Sequence, residues 1–574
     1  ASGGVTGGNI TLAGGNGAGS YASIGNGGSS ATADLGAMNS NGDIDVDARG
    51  NLTMTAGSND GHARIGHGGE LLNGTITDAQ IYVDVVGAIT MTANTANSDG
   101  SNAQIGHGGF NSYNVGVTNS DIFINTLAGT GTGDLSINGR GQNNYAQIGH
   151  GGGRSDGNDR FYATYSGAIT VGNAANILLT SGAGTDGYSQ IGHGGEGGNG
   201  SAPRGDLGIG NYSGAIMLTT AGELSLKGGT GSDSYSQVGH GGDEVLATTD
   251  GPITIVANSV SVTGGDTSGN SDAYAQIGNG GHNNDQDHTN GSVTISAANG
   301  VSVTGGDSDR SYAQIGVGGF DADGILSGDV VINFDTTTVL PTGGGAILVQ
   351  GGGDTDTYAQ IGIGGQSTNG AKTGFTLVSG DSVTLRSGDG DDASAQIGAG
   401  GFGSTELITS FTGVLATTGD IVMDASAGGE NASVQIGAGG LAGTDGITGL
   451  PLLGGDQSVF VQGAGAVRLI GGTQNNTYAH IGNGGAGFRG DKTNAGVSVS
   501  AGTSVSLESG DGPGAYTQIG SGGGVSAAGT AANGSVTGVV FVDAAAGGIT
   551  LASGDQQGAY SHIGHGGGGY TGAV

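Results

Sequence analysis

One eight-residue segment recurs along the whole chain, and this recurrence limits the folds that the sequence can adopt. The copy Tyr145-Ala-Gln-Ile-Gly-His-Gly-Gly152 represents it. Its isoleucine, once a valine, recurs fourteen times at intervals of 36 to 47 residues. These positions are Ile24, Ile65, Ile105, Ile148, Ile191, Val238, Ile277, Ile315, Ile361, Ile397, Ile436, Ile481, Ile519 and Ile563. A constant motif separated by loops of variable length is typical of solenoid proteins.

Two further runs of alternating apolar residues precede each copy of this motif. The first, run 1, is represented by Asp43-Ile-Asp-Val-Asp-Ala48, and the second, run 2, by Asn51-Leu-Thr-Met-Thr-Ala-Gly57. Period-two alternation rich in Val, Ile and Thr predicts half-buried strands, and the Gly, Asn and Asp clusters between them predict turns. Run 2 and the motif occur fourteen times and run 1 thirteen times.

A single repeat of this kind cannot bury its apolar faces alone, so successive repeats must stack. The sequence therefore predicts an all-β fold, a parallel β-helix of 14 repeats of about 41 residues. We expect one three-stranded rung per repeat rather than two rungs, because three strands are visible in each. At ~4.8 Å per rung, the rod would be roughly 65–70 Å long. Residues 1–574 are expected to form a single continuous solenoid without a separate domain.

Composition excludes several other classes of protein. The 135 glycines follow no three-residue period and accompany only 5 prolines, which excludes collagen. The net charge of −35 argues against nucleic acid and anionic membranes as partners, because both require Lys and Arg clusters. The chain has no cysteine and no run of 18 apolar residues, so we expect no disulfide, no thiolate site and no membrane insertion.

The motif residues alternate between two faces of a strand. The isoleucine and the small residue two positions before it, such as Ala146, share the face predicted to be core. Tyrosine three before the isoleucine and glutamine one before it share the opposite face, and we expect both to stack from rung to rung. The members of this candidate surface ladder are Tyr145, Tyr188, Tyr235, Tyr274, Tyr312, Tyr358, Gln147, Gln190, Gln237, Gln276, Gln314 and Gln360. Two interpretations stay open: stabilisation beneath a covering loop, or an exposed aromatic stripe that docks sugar or protein.

Two polar columns raise the question of metal binding. Five successive repeats place His67, His107, His150, His193 and His240 two residues after the isoleucine, but Val and Ile occupy the same position elsewhere, which favours packing over ligation. Acidic residues lie five before the isoleucine, in the turn that precedes the motif. They are Asp60, Asp186, Asp233, Asp272, Asp356 and Asp392. Stacked carboxylates would repel each other, so these turns are candidate weak calcium sites, and calcium is the one cofactor that the sequence suggests.

The runs Gly50-Asn-Leu-Thr-Met-Thr-Ala-Gly57, Gly87-Ala-Ile-Thr-Met-Thr-Ala93 and Gly291-Ser-Val-Thr-Ile-Ser-Ala297 resemble the repeats of filamentous-haemagglutinin-type adhesins. Those proteins leave Gram-negative bacteria by two-partner or autotransporter secretion. The resemblance spans the chain and implies a secreted, cell-surface fibre or adhesin.

Function is therefore expected to be structural or adhesive, in a rod or filament-forming subunit on a bacterial surface or in its matrix. We expect self-association end to end, or continuation in a longer chain, and a glycan or cell-surface ligand. The alternative is a β-helix that binds or degrades polysaccharide, like tailspikes and lyases. We expect no enzyme, because basic residues are dispersed and no repeat shows an additional His, Asp and Glu cluster. An ice-binding Thr array is interrupted by Lys227, Arg386, Asp424 and Glu508.

Overall fold

The computed structural model describes residues 8–27, 42–69, 74–95, 100–110, 115–126, 133–153, 163–197, 210–266, 272–335, 340–342, 344–450, 457–526 and 529–574. The chain divides into two compact units. Unit 1 comprises Ala1–Ser261 and Ala273–Asn290, and unit 2 comprises Val262–Asp272 and Gly291–Val574. The expectation of one continuous solenoid over residues 1–574 stays a prediction.

Each unit is built from three parallel sheets, one for run 1, one for run 2 and one for the motif. A residue pairs with its equivalent one repeat later: Ile148 pairs with Ile191 in unit 1, and Ile361 pairs with Ile397 in unit 2. Each repeat therefore forms one rung, which confirms the parallel β-helix with one rung per repeat. The pattern dictates this register, because a slip by one residue would turn every core side chain outwards.

The strands of unit 1 follow the three sequence patterns. Its motif strands are Tyr21–Ile24, His62–Ile65, Asn102–Ile105, Tyr145–Ile148, Tyr188–Ile191, Ser236–Val238 and Ala275–Ile277. Its run 2 strands are Ile10–Ala13, Leu52–Thr55, Ile89–Thr92, Leu135–Asn138, Ile177–Thr180 and Glu223–Lys227. Its run 1 strands are Ile44–Ala48, Ile81–Val85, Ile122–Thr126, Ile169–Ala174, Ile216–Thr220 and Ile253–Ala257. A further run 2 strand, Ser259–Thr263, lies at the unit boundary.

Unit 2 repeats the same order. Its motif strands are Ala313–Ile315, Ala359–Ile361, Ala395–Ile397, Ser433–Ile436, Tyr478–Ile481, Tyr516–Ile519 and Tyr560–Ile563. Its run 2 strands are Val301–Thr304, Ile347–Gln350, Val383–Arg386, Ile421–Asp424, Val467–Ile470, Ser504–Glu508 and Gly548–Ala552. Its run 1 strands are Val293–Ala297, Val330–Ile332, Lys372–Gly380, Ile408–Ala416, Gln457–Gly463, Gly496–Ala501 and Val540–Ala544. Phe334–Asp335 and Leu340–Pro341 form a short antiparallel pair.

A short fourth strand precedes run 1 in many rungs, and the sequence patterns do not predict it. These strands are Gly74–Thr77, Val115–Thr118, Thr164–Ser166, Gly210–Ser213, Ala247–Asp250, His288–Thr289, Leu326–Ser327, Ile447–Gly449 and Lys492–Thr493. They join the run 1 sheet, and in Lys372–Gly380 and Ile408–Ala416 the two strands merge into one of nine residues. Their sequences, from Gly-Thr-Ile-Thr to Asn-Tyr-Ser, share no alternating pattern that could have revealed them.

The three sheets enclose an apolar core in each unit. In unit 1, Leu52 and Met54 of run 2, Ile81 and Val83 of run 1, and the motif residue Ile105 have no exposed surface. In unit 2, Ile315 is equally buried, as predicted for the motif isoleucine. Burying one such side chain contributes about 1.5–3 kcal/mol relative to leaving it exposed. The motif strands differ from the other strands because both of their faces are buried in most rungs, for example in Tyr145–Ile148.

Candidate functional site

The motif glutamines join each rung to the next through its glycines. The Gln147 Nε2 donates to the carbonyl oxygens of Gly192 at 3.0 Å and Gly194 at 2.8 Å, and to the Gln190 Oε1 at 3.2 Å. Unit 2 repeats this geometry, with Gln360 Nε2 2.9 and 2.7 Å from the carbonyl oxygens of the corresponding glycines. The glutamines thus bind mainly the backbone of the next rung, and glutamine-to-glutamine bonds are secondary.

The motif tyrosines form the predicted stack, but not on the surface. Ring centroids of Tyr145 and Tyr188 lie 4.8 Å apart and those of Tyr312 and Tyr358 lie 4.9 Å apart, with nearly parallel planes. The prediction of a surface ladder is wrong. Ten of its twelve residues have no exposed surface, Gln360 is 1 % exposed and Tyr358 is 4 % exposed. They are Tyr145, Tyr188, Tyr235, Tyr274, Tyr312, Tyr358, Gln147, Gln190, Gln237, Gln276, Gln314 and Gln360.

The chain after the motif covers the tyrosines. We call the residues five after the motif isoleucine the cover column. Leu441 and Ala486 of this column pack against Tyr478 and Tyr516 in unit 2. The chain can fold back so closely because the second of the paired motif glycines has no side chain. A Cβ at Gly195, whose φ is +145°, would overlap the Tyr188 hydroxyl. The tyrosine face is therefore an interior surface, which removes it as a docking stripe.

The histidine column uses both ring nitrogens within the fold. The backbone N–H of His107 donates to the His150 Nδ1 at 3.1 Å, and the His150 Nε2 lies 2.6 Å from the Ser120 carbonyl oxygen. Successive rings stack, with His150 and His193 centroids 4.6 Å apart. Asn279 takes the same role, accepting from the His240 N–H at 2.9 Å and donating to a carbonyl at 2.9 Å. These imidazoles link neighbouring rungs, and their lone pairs are already engaged.

The acidic residues before the motif occupy a position with a special backbone conformation. We call the residues five before the motif isoleucine the turn column. All fourteen have φ between 52° and 82°. Its members are Gly19, Asp60, Gly100, Asn143, Asp186, Asp233, Asp272, Arg310, Asp356, Asp392, Asn431, Asn476, Gly514 and Gly558. Gly, Asn and Asp tolerate this left-handed region best, which gives a backbone reason for the aspartates.

The six candidate calcium ligands have different surroundings. Asp272 is buried and pairs with the Arg310 guanidinium at 3.0 Å. Asp356 accepts a hydrogen bond from the Gln366 Nε2 at 2.5 Å. Burial, followed by the charge of the neighbouring Asp356, raises the pKa of Asp392 to about 6. Asp60, Asp186 and Asp233 are half-buried. Calcium binding by these turns stays a prediction.

Turn column and cover column meet, and in unit 1 this contact forms a cluster that the sequence analysis missed. Glu196, Asp243 and His282 occupy the cover column in three consecutive repeats. The His282 Nδ1 lies 2.7 Å from the Asp243 Oδ1, and side-chain atoms of Asp233, Asp243 and His282 lie within 4.8 Å of one another. The expectation that no repeat carries an additional His, Asp and Glu cluster concerned single repeats, whereas this cluster joins residues of neighbouring repeats. Aligning the repeats at the fifth residue after the isoleucine would have shown Glu196, Asp243 and His282 in one column, but not their proximity to Asp233.

This cluster is strongly acidic and poorly hydrated. Burial, followed by the charges of Asp186, Asp243 and Asp233, raises the pKa of Glu196 well above its usual range. Burial also raises the pKa of Asp186 to about 7, with smaller contributions from Asp243 and Glu244. Glu196 is 8 % exposed, and its Oε2 has no hydrogen-bond partner among the residues that the structure describes.

Comparison with known proteins gives no relative from which a function could be inferred, so the function has to be argued from the fold and from these columns of residues. No protein-family model, curated protein or solved structure matches this chain. The described segments contain no helix that could serve as a membrane span.

Proposed function

We propose that this protein is an extracellular structural or adhesive component of a bacterial surface or its matrix. One observation carries the proposal: the residues of the recurring motif are used to hold rung to rung. Tyrosines stack on tyrosines, glutamines bind glycine carbonyls of the next rung, and histidines bridge backbone groups. Such repetition produces a stiff scaffold that can be lengthened by adding repeats, which suits a stalk or fibre.

Charge and composition support an extracellular location. The net charge of −35 favours solubility and disfavours binding to anionic lipid or nucleic acid. A scaffold without cysteine has no thiol group that an oxidising environment could oxidise. The likeness of run 2 to haemagglutinin-type adhesin repeats points in the same direction.

Outward-facing residues are the proposed contact surface. On the run 1 sheet of unit 1, the rings of Tyr82 and Phe123 stack 5.1 Å apart, and Tyr82 is 37 % exposed. A partly exposed aromatic pair of this kind can pack against sugar rings or against apolar groups of a protein. Adhesion is proposed to use such positions, since the motif tyrosines are interior.

Labelling of intact cells tests the proposal. Antibodies against the purified chain should label the outside of source cells in immunogold microscopy, and protease added to intact cells should remove the label. Beads coated with the native chain should adhere to a glycan or host-cell surface more than beads coated with heat-unfolded chain. Label confined to the cell interior would contradict the proposal.

A further inference from the structure

We propose that Asp233, Asp243 and His282 form a binding site for one divalent transition-metal ion of the zinc type, which cross-links two consecutive rungs of unit 1. The proposal goes beyond the structural or adhesive role and does not depend on it.

The geometry of three side chains fits a single ion. Oxygen atoms of Asp233 and Asp243 and a ring nitrogen of His282 lie within 4.8 Å of one another. Ligands bound to one zinc ion at about 2.0–2.2 Å lie up to roughly 4 Å apart, so small side-chain adjustments bring all three into range. The His282 side chain is 12 % exposed and that of Asp243 is 7 % exposed. The site is therefore mostly shielded from water.

Glu196 lies next to this site, one rung before Asp243. The Gly195 N–H donates to the Gly241 carbonyl at 3.0 Å and the Gly197 N–H donates to the Asp243 carbonyl at 2.8 Å. This register places Glu196 one rung before Asp243, but its Oε2 leans towards Gly153, where a Cβ would lie 3.5 Å from it, so Glu196 is a neighbour of the site and not one of its ligands. Glu196 is more than nine-tenths buried, and its Oε2 is unpartnered among the described residues.

The rest of the cover column shows how unusual this arrangement is. In several other rungs the same position holds apolar residues that pack with the tyrosines, such as Phe402 and Leu441. A buried carboxylate without a partner is costly, whereas a phenylalanine there is not. A cation bound by Asp233, Asp243 and His282 would balance the negative charge that the two aspartates bring to this position.

The donor set selects the class of ion. Calcium and magnesium prefer ligands that are oxygen atoms alone, and calcium takes six to eight of them. Imidazole together with carboxylates suits zinc and other first-row divalent ions. The Asp243 carboxylate that contacts His282 can also orient the imidazole, as carboxylates do around many metal-bound histidines.

Metal binding to the full-length chain tests this site. The chain is stripped with EDTA, dialysed and titrated with zinc chloride at pH 7.5 by calorimetry, and with cobalt(II) by visible absorption. We expect one tight zinc ion per chain and a cobalt spectrum that reports nitrogen ligation. His282→Phe should weaken zinc binding at least 100-fold and abolish that spectrum. Phenylalanine is chosen because Phe320 and Phe402 occupy the same column.

Control variants separate the site from general acidity. Asp392→Asn changes a turn-column carboxylate in unit 2 and should leave tight zinc binding unchanged. Asp243→Gln introduces the residue type that Gln366 provides in the same column, and it should weaken zinc binding like His282→Phe. If a variant fails to fold, hydrogen exchange of the parent decides, because zinc should slow exchange around Asp243 and His282. Equal zinc binding by parent and His282→Phe, tighter binding of calcium than zinc, or exchange unaffected by zinc would overturn the proposal.

Discussion

At the scale of single residues, the hydrogen bonds of the motif glutamine explain why glutamine recurs at this position. Its amide reaches two carbonyls of the following rung, those of the glycines one and three residues after the isoleucine. A Cβ on the first of these glycines would overlap the next rung's backbone, as Gly149 would overlap the Gly192 carbonyl. Glutamine and glycine therefore depend on each other: the glycines let the rungs approach, and the amide satisfies carbonyls that the approach buries.

Gln147→Leu tests this dependence. Leucine keeps the volume but leaves the buried carbonyls of Gly192 and Gly194 without the amide donor, which should cost about 2–4 kcal/mol in local stability. Hydrogen exchange of residues 145–152 measures the effect, because unfolding of a stacked array need not be two-state. Gln147→His is the matched control, since His480 holds the same position and its Nε2 lies 2.6 Å from the Gly520 carbonyl oxygen. Unchanged exchange in Gln147→Leu would refute the role of the amide.

At the scale of elements, columns of equivalent residues decide the turns and the links between sheets. The turn column requires a positive φ in every rung, and the histidine column ties the motif sheet to the run 1 side of the rung. The turn column accepts several residue types that adopt the left-handed region. In the histidine column, His and Asn provide one acceptor and one donor, and buried apolar residues such as Val317 and Ile363 replace them in other rungs.

Asp392→Asn and Asp392→Val form a pair that tests the turn column. Valine is poorly suited to a φ of 58°, so we expect a loss of about 1–2 kcal/mol in local stability. Asparagine fits the conformation and removes the Asp392 carboxyl group, whose pKa is raised to about 6. Because a raised carboxyl pKa makes the ionised form destabilising at pH 7.5, Asp392→Asn should be at least as stable as the parent.

The same variant tests calcium in the turns. Calcium held between Asp356 and Asp392 would relieve their repulsion, so millimolar calcium should raise the melting temperature of the parent more than that of Asp392→Asn. Calorimetry in EDTA and in calcium makes the comparison. Equal shifts in parent and variant would remove calcium from these turns.

The histidine column predicts a loss of stability in mild acid. Burial lowers the folded-state pKa of His150 to about 4, against a usual value near 6.5 in the unfolded chain. The unfolded state therefore binds more protons between these values, and stability falls as the pH drops from about 6.5 to 4. A shift of this size corresponds to about 3 kcal/mol for one histidine.

His150→Asn isolates this contribution. Asparagine keeps one acceptor and one donor, as Asn279 does, but does not titrate. We expect the melting temperature of the variant to fall less than that of the parent between pH 7 and pH 4.5. The buried acids Glu196 and Asp186, whose pKa values are raised, act in the opposite direction in both proteins and cancel in the comparison. The same drop in both proteins would contradict the prediction.

At the scale of the molecule, the proposed assembly depends on the faces of the outermost rungs. In unit 2, Ile549 and Leu551 are 44 % and 45 % exposed, whereas their partners one rung earlier, Val505 and Leu507, are fully buried. Core side chains and strand edges presented in this way favour the stacking of another rung. Another rung from a second copy would give an open filament, and one from a longer polypeptide would give a longer rod.

Light scattering over a concentration series tests association between copies. We expect the purified chain to form oligomers larger than 54.7 kDa as its concentration rises, because apolar surface around Ile549 and Leu551 is buried on stacking. The double variant Ile549→Asp, Leu551→Asp should stay monomeric, while Thr550→Asp on the same strand should still associate. A parent chain that stays monomeric at every concentration would leave only the longer-chain interpretation.

The sequence by itself determined the repeat, its three main strands, the core position of the motif isoleucine and the stacking of Tyr on Tyr. These follow from alternation and recurrence, which are properties of neighbouring residues and of equal spacing. Only the tertiary structure decided that Tyr145 and Gln147 are interior, because the chain that covers them comes from another part of the rung. Only the tertiary structure brought Asp233 close to Asp243 and His282. Asp233 lies in the turn before one motif, whereas Asp243 and His282 lie in the segments that follow two successive motifs. Such proximity depends on how far a turn folds back, and local sequence periodicity does not encode that distance.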